Sequence, residues 1–203
     1  MPVDYSGQDL RGRDFSGQDL TRAILRYANL TGANLRGATL TGATLSSADL
    51  TSANLLLADL SGANLTDADL TDANLTRANL EGANLFGANL RSANLYRADL
   101  RSADLSGATL SSADLTSANL SGAILWNANL TGAYLTYANL IEADLLGADF
   151  TNANLTYANL IEAKLSGADF TNANLTGAFR RPGISRADMD GVKGLDTVTG
   201  LID

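Results

Sequence analysis

The sequence contains few residues that could carry out acid–base or metal chemistry. It has no histidine and no cysteine, which removes the commonest general base, the commonest transition-metal ligand and every thiolate site. Carboxylates are the remaining candidates, and Asp69 and Asp72 form one closely spaced pair. Such a pair is tuned for catalysis only inside a desolvated pocket. The elements that position these carboxylates therefore decide whether any chemistry is available.

Oxygen ligands for Ca²⁺ are abundant, because Asp or Asn occurs at most of the positions just before a regularly repeated leucine. The sequence nevertheless lacks the ligand spacing of a calcium-binding loop. We predict no catalytic residue, no metal site and no cofactor, and we expect that the protein is not an enzyme.

Composition limits the kinds of partner. The chain of 203 residues has 22 acidic and 14 basic residues, a net charge of −8, so we expect no direct binding to nucleic acid. No apolar stretch approaches the roughly 20 residues that span a bilayer. The start of the chain lacks a basic segment followed by an apolar run. We therefore expect a cytoplasmic protein with no membrane association.

A five-residue period organises most of the chain. Leu, Phe or Tyr occupies every fifth position from Tyr5 to Leu175, which gives 35 units, and we call this position the centre. Ala stands two residues before the centre in every unit from Ala23 to Ala173. On a helix, steps of five would spread the centres around the cylinder, and on a flat strand they would alternate between faces. Each unit must therefore contain a turn.

Glycine indicates where that turn lies. Of the 19 glycines, 15 stand two residues after a centre, as expected for a type II turn, whose third residue has positive φ. Tyr27, Leu57, Tyr137 and Tyr157 occupy the same slot, and we expect their units to use a different turn. Residues 136–155 and 156–175 match at 18 of 20 positions. This duplication favours a coil of four units in which residues twenty apart stack.

The run ANLTGANLRGATLTGATL resembles the pentapeptide-repeat family, whose consensus is A-(D/N)-L-x-x, and the resemblance covers about residues 5–178. It implies a bacterial, all-β protein: a right-handed quadrilateral parallel β-helix solenoid with four pentapeptides per coil and about nine coils. Leu and Ala would fill the interior. We assign residues 1–20 to an N-terminal capping coil, with Val3, Gln8, Arg13 and Gln18 in inward slots, and residues 21–178 to the β-helix.

The register ends after Phe179, and residues 179–203 form a separate C-terminal segment. We predict a short helical or irregular cap there, with a helix over about 186–192. Two interpretations of its apolar residues stay open. They cover the end of the core, or they form a homodimer contact like the one that the resemblance implies for gyrase-protecting family members. The residues concerned are Ile184, Met189, Val192 and Leu195.

The register also assigns outward residues to four walls. Wall 1 contains centres 5, 25, 45 and so on, and walls 2, 3 and 4 begin at centres 10, 15 and 20. Seven large apolar residues on these walls suggest a partner surface. The alternative explanation is that like residues form ladders that stabilise neighbouring coils, and it applies to the same seven residues. They are Trp126 and Leu146 on wall 1, Tyr134, Tyr137 and Tyr157 on wall 3, and Ile141 and Ile161 on wall 4.

Two functional hypotheses remain. The first is a non-enzymatic structural or protein-interaction module whose partner the sequence does not identify. The alternative, which the resemblance implies for acidic family members, is a DNA-mimicking inhibitor or protector of DNA gyrase or topoisomerase IV. Residues 5–178 carry 17 acidic and 10 basic residues, whereas DNA carries one charge per roughly 1.7 Å of axis. This low charge density favours the first hypothesis.

Overall fold

The computed structural model describes residues 2–178 and 193–194. Over those residues it contains no helix and no strand longer than one residue, and the sheet consists of isolated parallel β-bridges. Each bridge in the repeat joins the residue just before a centre to its equivalent twenty residues later, from Asp4–Ile24 to Asn154–Asn174. Four units therefore make one coil, and centres twenty residues apart lie in neighbouring coils.

Residues 63–67 show how a unit satisfies its five backbone N–H groups. The N–H of Ala63 donates to the carbonyl of the preceding centre across the turn (2.9 Å), and those of Asn64, Leu65 and Asp67 donate to neighbouring coils. The N–H of Thr66 donates to the side-chain Oδ1 of Asn64 (3.0 Å). Because an unpaired buried backbone donor is costly, the arrangement uses every N–H of the unit.

The last of these bonds explains the preference for Asn or Asp before the centre. All 28 units that have Asn or Asp there form it, which is an Asx turn. Most of the Asp residues of the repeat are therefore part of the turn scaffold. The seven units with another residue at this position contain Ile24, Thr39, Thr44, Thr109, Ile124, Tyr134 and Lys164.

One turn geometry serves all 35 units. The residue two after the centre has φ between 53° and 69° throughout the repeat, whether or not it is glycine. The prediction of a different turn for Tyr27, Leu57, Tyr137 and Tyr157 is wrong, because their φ values are 58°, 60°, 60° and 58°. The reason is that the turn bond in every unit, and the bond to the next coil in the units from Gly7 to Tyr157, hold this residue in place, so the surrounding structure determines its conformation.

The interior is filled by centres and by the alanines two residues before them. These core side chains are at most 6% exposed from Leu10 to Ala178, except Ala163, which is partly buried. Leu140 and Leu160 lie in adjacent rungs, as the duplication predicts, since the Leu140 N–H donates to Asn159 O at 2.7 Å. Phe150 and Phe170 stack with ring centroids 4.9 Å apart. The outer surface therefore presents the remaining three residues of each unit.

The first coil differs from the others at its inward slots. Gln8, Arg13 and Gln18 are exposed there, in place of buried alanines. The Arg13 guanidinium lies 5.7 Å from the Phe15 ring centroid, and the Tyr5 and Phe15 rings are 5.8 Å apart. Exposed polar side chains thus take the place of core alanines in this coil, whereas Phe15 is buried at its centre position.

At the other end, the chain pairs once more with the solenoid. Lys193 forms a parallel bridge with Asp169. These two residues are 24 apart in sequence, whereas the partners in all the other described bridges are 20 apart. The Phe170 N–H donates to Lys193 O at 3.0 Å. The predicted helix over 186–192, and with it Ile184, Met189, Val192 and Leu195, lies outside the described residues. Among residues that are described, no helix is long and apolar enough to cross a membrane.

Candidate partner-binding surface

The two turn residues after each centre form four corners, which we number after the wall that precedes them. Corner 1 joins walls 1 and 2, and corner 3, two units further on, is diagonally opposite. Most exposed large apolar side chains belong to these two corners. Corner 1 has Tyr27, Phe86, Trp126 and Leu146; corner 3 has Leu57, Tyr137 and Tyr157. Tyr134 is exposed on wall 3 next to corner 3.

Corner 1 has a row of apolar side chains interrupted by a serine. Phe86, Ser106, Trp126 and Leu146 occupy one slot in four successive coils, and Phe86, Trp126 and Leu146 are about half exposed. Ser106 is the one polar residue among those described that counts as buried. Its hydroxyl donates to Asp104 Oδ1 at 2.6 Å, so it has its hydrogen-bond partner.

Corner 3 has a longer row of six residues, which also contains one serine (Ser117) and which we call the corner 3 ridge. Its slot lies two residues after the centre, and glycines bound it at Gly37 and Gly177. The Tyr137 and Tyr157 rings stack with centroids 5.2 Å apart and planes 10° from parallel. A Cβ on Gly177 would overlap the Tyr157 ring, so glycine gives that ring its space. The ridge consists of Leu57, Arg77, Arg97, Ser117, Tyr137 and Tyr157.

The seven residues predicted for a partner surface fall into two groups. Tyr137 and Ile141 flank wall 4 in one coil, as Tyr157 and Ile161 do in the next, and Tyr134 is just across corner 3. These five therefore form one continuous region, in which the two isoleucines are half-buried. Trp126 and Leu146 are at corner 1, on the far side of the solenoid. A flat partner cannot contact both groups at once.

Near wall 4, Arg101 takes part in ion pairs, whereas the two arginines of the ridge form none with the described part of the chain. Arg101 contacts both Glu81 (2.8 Å) and Asp99 (2.7 Å), and its hydrogen bonds lower the pKa of Asp99. Arg77 and Arg97 make no ion pair with any residue of 2–178 or 193–194. The Arg97 guanidinium instead lies 5.2 Å from the Tyr96 ring centroid. The ridge thus presents two uncompensated positive charges.

The carboxylate pair singled out for chemistry belongs to the turn scaffold. Asp69 Oδ1 accepts the Thr71 backbone N–H (2.9 Å) and hydroxyl (2.6 Å), and Asp72 is exposed at a turn with φ 57°. No group of three or more carboxylates able to hold a metal ion occurs among the described residues. The pair thus lies on the outer surface.

Sequence reasoning missed the Asx turns and the division of the exposed residues between opposite corners. The sequence does indicate where the corners lie. Every unit contains, in the same order, one outward residue on the wall before the centre and two turn residues at the corner after it. Combining that order with the twenty-residue coil separates Trp126 from Tyr137. Asn and Asp recur two residues before the residue that follows each centre, and the backbone N–H of that residue has no carbonyl partner among the described residues. This recurrence could have indicated Asx turns, because Asn and Asp side chains bond to the backbone two residues on.

Comparisons with known proteins agree with this architecture. The family model for pentapeptide repeats (8 copies) matches residues 6–37, 28–67, 53–91, 93–132, 113–152 and 143–179. The structure is similar to that of HetL, a pentapeptide repeat protein involved in heterocyst differentiation regulation from the cyanobacterium Nostoc sp. strain PCC 7120. The TM-score is 0.87 at 36% sequence identity, over 97% of this chain and 84% of HetL.

A more distant similarity is in fold alone. A trypsin-treated variant of QnrB1, a plasmid-mediated fluoroquinolone resistance protein, has a TM-score of 0.62 at 22% identity, over 88% of this chain and 89% of that one. No curated protein matches the sequence. From the family match, the HetL similarity and the twenty-residue coil, we conclude that this chain belongs to the pentapeptide-repeat family and has its right-handed β-helix.

Proposed function

We propose that the protein is a non-enzymatic, cytoplasmic interaction module that acts through its outer surface. One observation carries this proposal: Leu and Ala side chains fill the interior, whereas Trp, Tyr, Phe and Leu side chains are exposed at two corners. Exposed aromatic residues grouped together are typical of protein interfaces. A filled core leaves the outside as the part that can bind another molecule.

The similarity to HetL supports a regulatory setting. HetL is described as involved in the regulation of heterocyst differentiation, and this chain matches nearly all of its own length to it. A regulatory role exercised by a repeat solenoid is most simply an interaction with another protein, because such solenoids present extended binding surfaces.

Affinity capture with paired surface variants tests the proposal. We expect wild type to retain proteins from its native cell extract that are lost with either Trp126→Ser/Leu146→Ser at corner 1 or Tyr137→Ser/Tyr157→Ser at corner 3. Serine occupies these slots elsewhere, at Ser106 and Ser117, so the fold should tolerate it. Ser112→Asn at corner 2 is the control. Identical capture by every variant would contradict the proposal.

The alternative, a DNA-mimicking ligand of DNA gyrase or topoisomerase IV, has one structural feature in its favour. Asp49 pairs with Asp69 and Asp149 with Asp169 in adjacent rungs of wall 2, which places like charges above one another. A supercoiling assay with gyrase at micromolar protein distinguishes the two functions. We expect no effect on supercoiling or on its inhibition by a quinolone, and a clear effect lost with Asp49→Asn/Asp69→Asn would favour the alternative.

A further inference from the structure

We infer that the corner 3 ridge is the docking site for an acidic segment of a partner protein. Carboxylates of that segment would pair with Arg77 and Arg97, and its apolar side chains would pack on Tyr137 and Tyr157. This inference rests on the proposed interaction function and specifies both the surface and the chemistry of the partner.

The first observation is the backbone conformation of the ridge. Each ridge residue has φ between 55° and 60°, a left-handed conformation that is unfavourable for most residues other than Gly, Asn and Asp. Across the repeat, nine residues larger than Asn or Asp occupy this slot, and five of them are in the ridge. They are Leu57, Arg77, Arg97, Tyr137 and Tyr157. Strained residues concentrated at one place point to a function.

The same slot at corner 2 shows that the fold does not require large side chains there. Its nine residues are all Gly, Ser, Asp or Asn, although the turn and its hydrogen bonds are the same. The difference between the corners therefore arises from their side chains and not from the backbone.

The second observation is the charge of the ridge. Arg77 and Arg97 occupy adjacent rungs, since the Arg77 N–H donates to Tyr96 O at 2.9 Å, so their like charges repel. Asp99, the acidic residue nearest to Arg97 in sequence, already accepts hydrogen bonds from Arg101. Of the four walls, only wall 3 has an excess of basic residues over residues 5–178. An acidic segment would relieve a repulsion that the protein itself leaves uncompensated.

The third observation is the tyrosine stack. Tyr137 is 59% and Tyr157 40% exposed, and their nearly parallel rings form a flat aromatic surface. Tyr and Arg are the residue types that most often dominate binding energy at protein interfaces. The ridge thus joins a charged part to an aromatic part along one line.

The dimensions of the ridge match an extended peptide. Arg77 and Tyr157 are four rungs apart, which is about 19 Å at roughly 4.8 Å per rung. An extended chain covers that distance in about six residues. A nucleic acid fits less well, because its phosphates carry charge along the whole backbone and would extend beyond Arg77 and Arg97 over a protein of net charge −8, whereas the carboxylates of the proposed segment lie only beside the two arginines.

A synthetic peptide tests the inference. The probe is a fluorescein-labelled peptide of about eight residues, one half Glu and the other half Leu, made in both orders. We measure its binding to the full chain by fluorescence anisotropy at low ionic strength. We expect Arg77→Glu/Arg97→Glu and Tyr137→Ser/Tyr157→Ser each to weaken binding by about tenfold. Replacing Glu by Gln in the probe should have a similar effect.

Matched controls separate the ridge from general charge and general aromatic effects. Arg26→Glu/Arg91→Glu makes the same charge change at corners 1 and 2, and Tyr27→Ser removes a tyrosine from the equivalent slot of corner 1. Both should change affinity by less than about twofold. The slot accepts Glu at Glu142 and Glu162, with φ 56° and 59°, so the ridge variants should fold, which circular dichroism checks.

The single tryptophan provides an internal reporter. Trp126 is at corner 1, diagonally opposite the ridge, so its emission should not change when the probe binds. The inference is overturned if no peptide binds, if both arginine pairs weaken binding equally, or if Trp126 emission reports the binding. It is also overturned if a single-stranded oligonucleotide binds more tightly than the peptide and depends on Arg77 and Arg97.

These outcomes can be told apart from failure of the proposed function. If affinity capture depends only on Trp126 and Leu146, the protein is an interaction module but the ridge is not its docking site. If no surface variant changes capture, the interaction function itself is wrong, whatever the peptide does.

Discussion

Corners 2 and 3 share one backbone and differ in the residues at the left-handed turn position. At corner 2 the slot has only Gly, Ser, Asp and Asn, whereas at corner 3 it has a leucine, two arginines and two tyrosines among nine positions. Because φ is positive at all of them, the turn is a property of the coil and not of the residue. The scaffold therefore sets the backbone conformation, and the side chains at each corner can meet other requirements.

Substitutions that overpack the core should lower the unfolding free energy equally at corners 2 and 3. They should also have the largest effect on stability. Ala93 and Ala98 close the turns of corners 2 and 3, and both are buried at 0% and 1% exposure. We expect Ala93→Phe and Ala98→Phe each to destabilise the protein by about 3 kcal/mol or more, because the ring has no space. Urea unfolding measures this. A mild effect at one corner alone would show that the core is not uniform.

Removing an Asx turn should also affect the two corners equally. The Asn74 side chain accepts the Thr76 N–H at corner 3 (3.1 Å), and the Asn129 side chain accepts the Thr131 N–H at corner 2 (2.9 Å). We expect Asn74→Ala and Asn129→Ala each to cost about 1 kcal/mol of unfolding free energy. Asn→Asp at the same positions keeps the acceptor and is the control. No loss in either alanine variant would remove the Asx turn as a stabilising element.

Unlike the core substitutions, glycine at the left-handed turn position should change the unfolding free energy by different amounts at the two corners. Leu57→Gly at corner 3 replaces a large residue at φ 60°, and Ser52→Gly at corner 2 a small one at φ 56°. We expect Leu57→Gly to stabilise by about 1 kcal/mol, because glycine tolerates this conformation. The gain from Ser52→Gly should be smaller. Chemical unfolding in urea compares them, and a large destabilisation by Leu57→Gly would mean that the leucine side chain supports the fold.

Lowering the pH should remove more of the stability contributed by Asp9, at the first turn of corner 2, than of that contributed by Asp14, at the first turn of corner 3. Hydrogen bonds from Arg11 lower the pKa of Asp9 from 3.8 to about 2, whereas bonds from Ser16 lower that of Asp14. A lowered folded-state pKa stabilises the protein above about pH 4, and this contribution is lost as pH falls towards 2. We expect Asp9→Asn to flatten the acid limb of thermal stability more than Asp14→Asn does. Equal limbs would contradict this order.

Much of the fold could be predicted from the sequence, because its period reports a single repeated geometry. The buried leucines and alanines, the four-unit coil and the Tyr137–Tyr157 stack follow from spacing of five and twenty residues. The turn of Tyr157 could not be predicted from its side chain, since the coil fixes φ where local preference alone would favour glycine.

The candidate site was harder to predict, because it depends on side-chain partners that spacing does not report. The sequence places Arg77 beneath Arg97, but only the structure shows that Asp99 is already bonded to Arg101. Likewise, the register groups Trp126 with other apolar residues, but its position opposite Tyr137 becomes clear only when the turns are placed at corners.

We infer that the corner 3 ridge is kept for binding at a cost in stability. Arg77→Gly/Arg97→Gly tests it directly, with unfolding free energy and acidic-peptide affinity measured on the same sample. We predict a more stable protein, by about 1 kcal/mol or more, since glycine relieves both the strain and the repulsion, together with binding weakened by about tenfold. A less stable protein, or one that binds the peptide as wild type does, would contradict the claim.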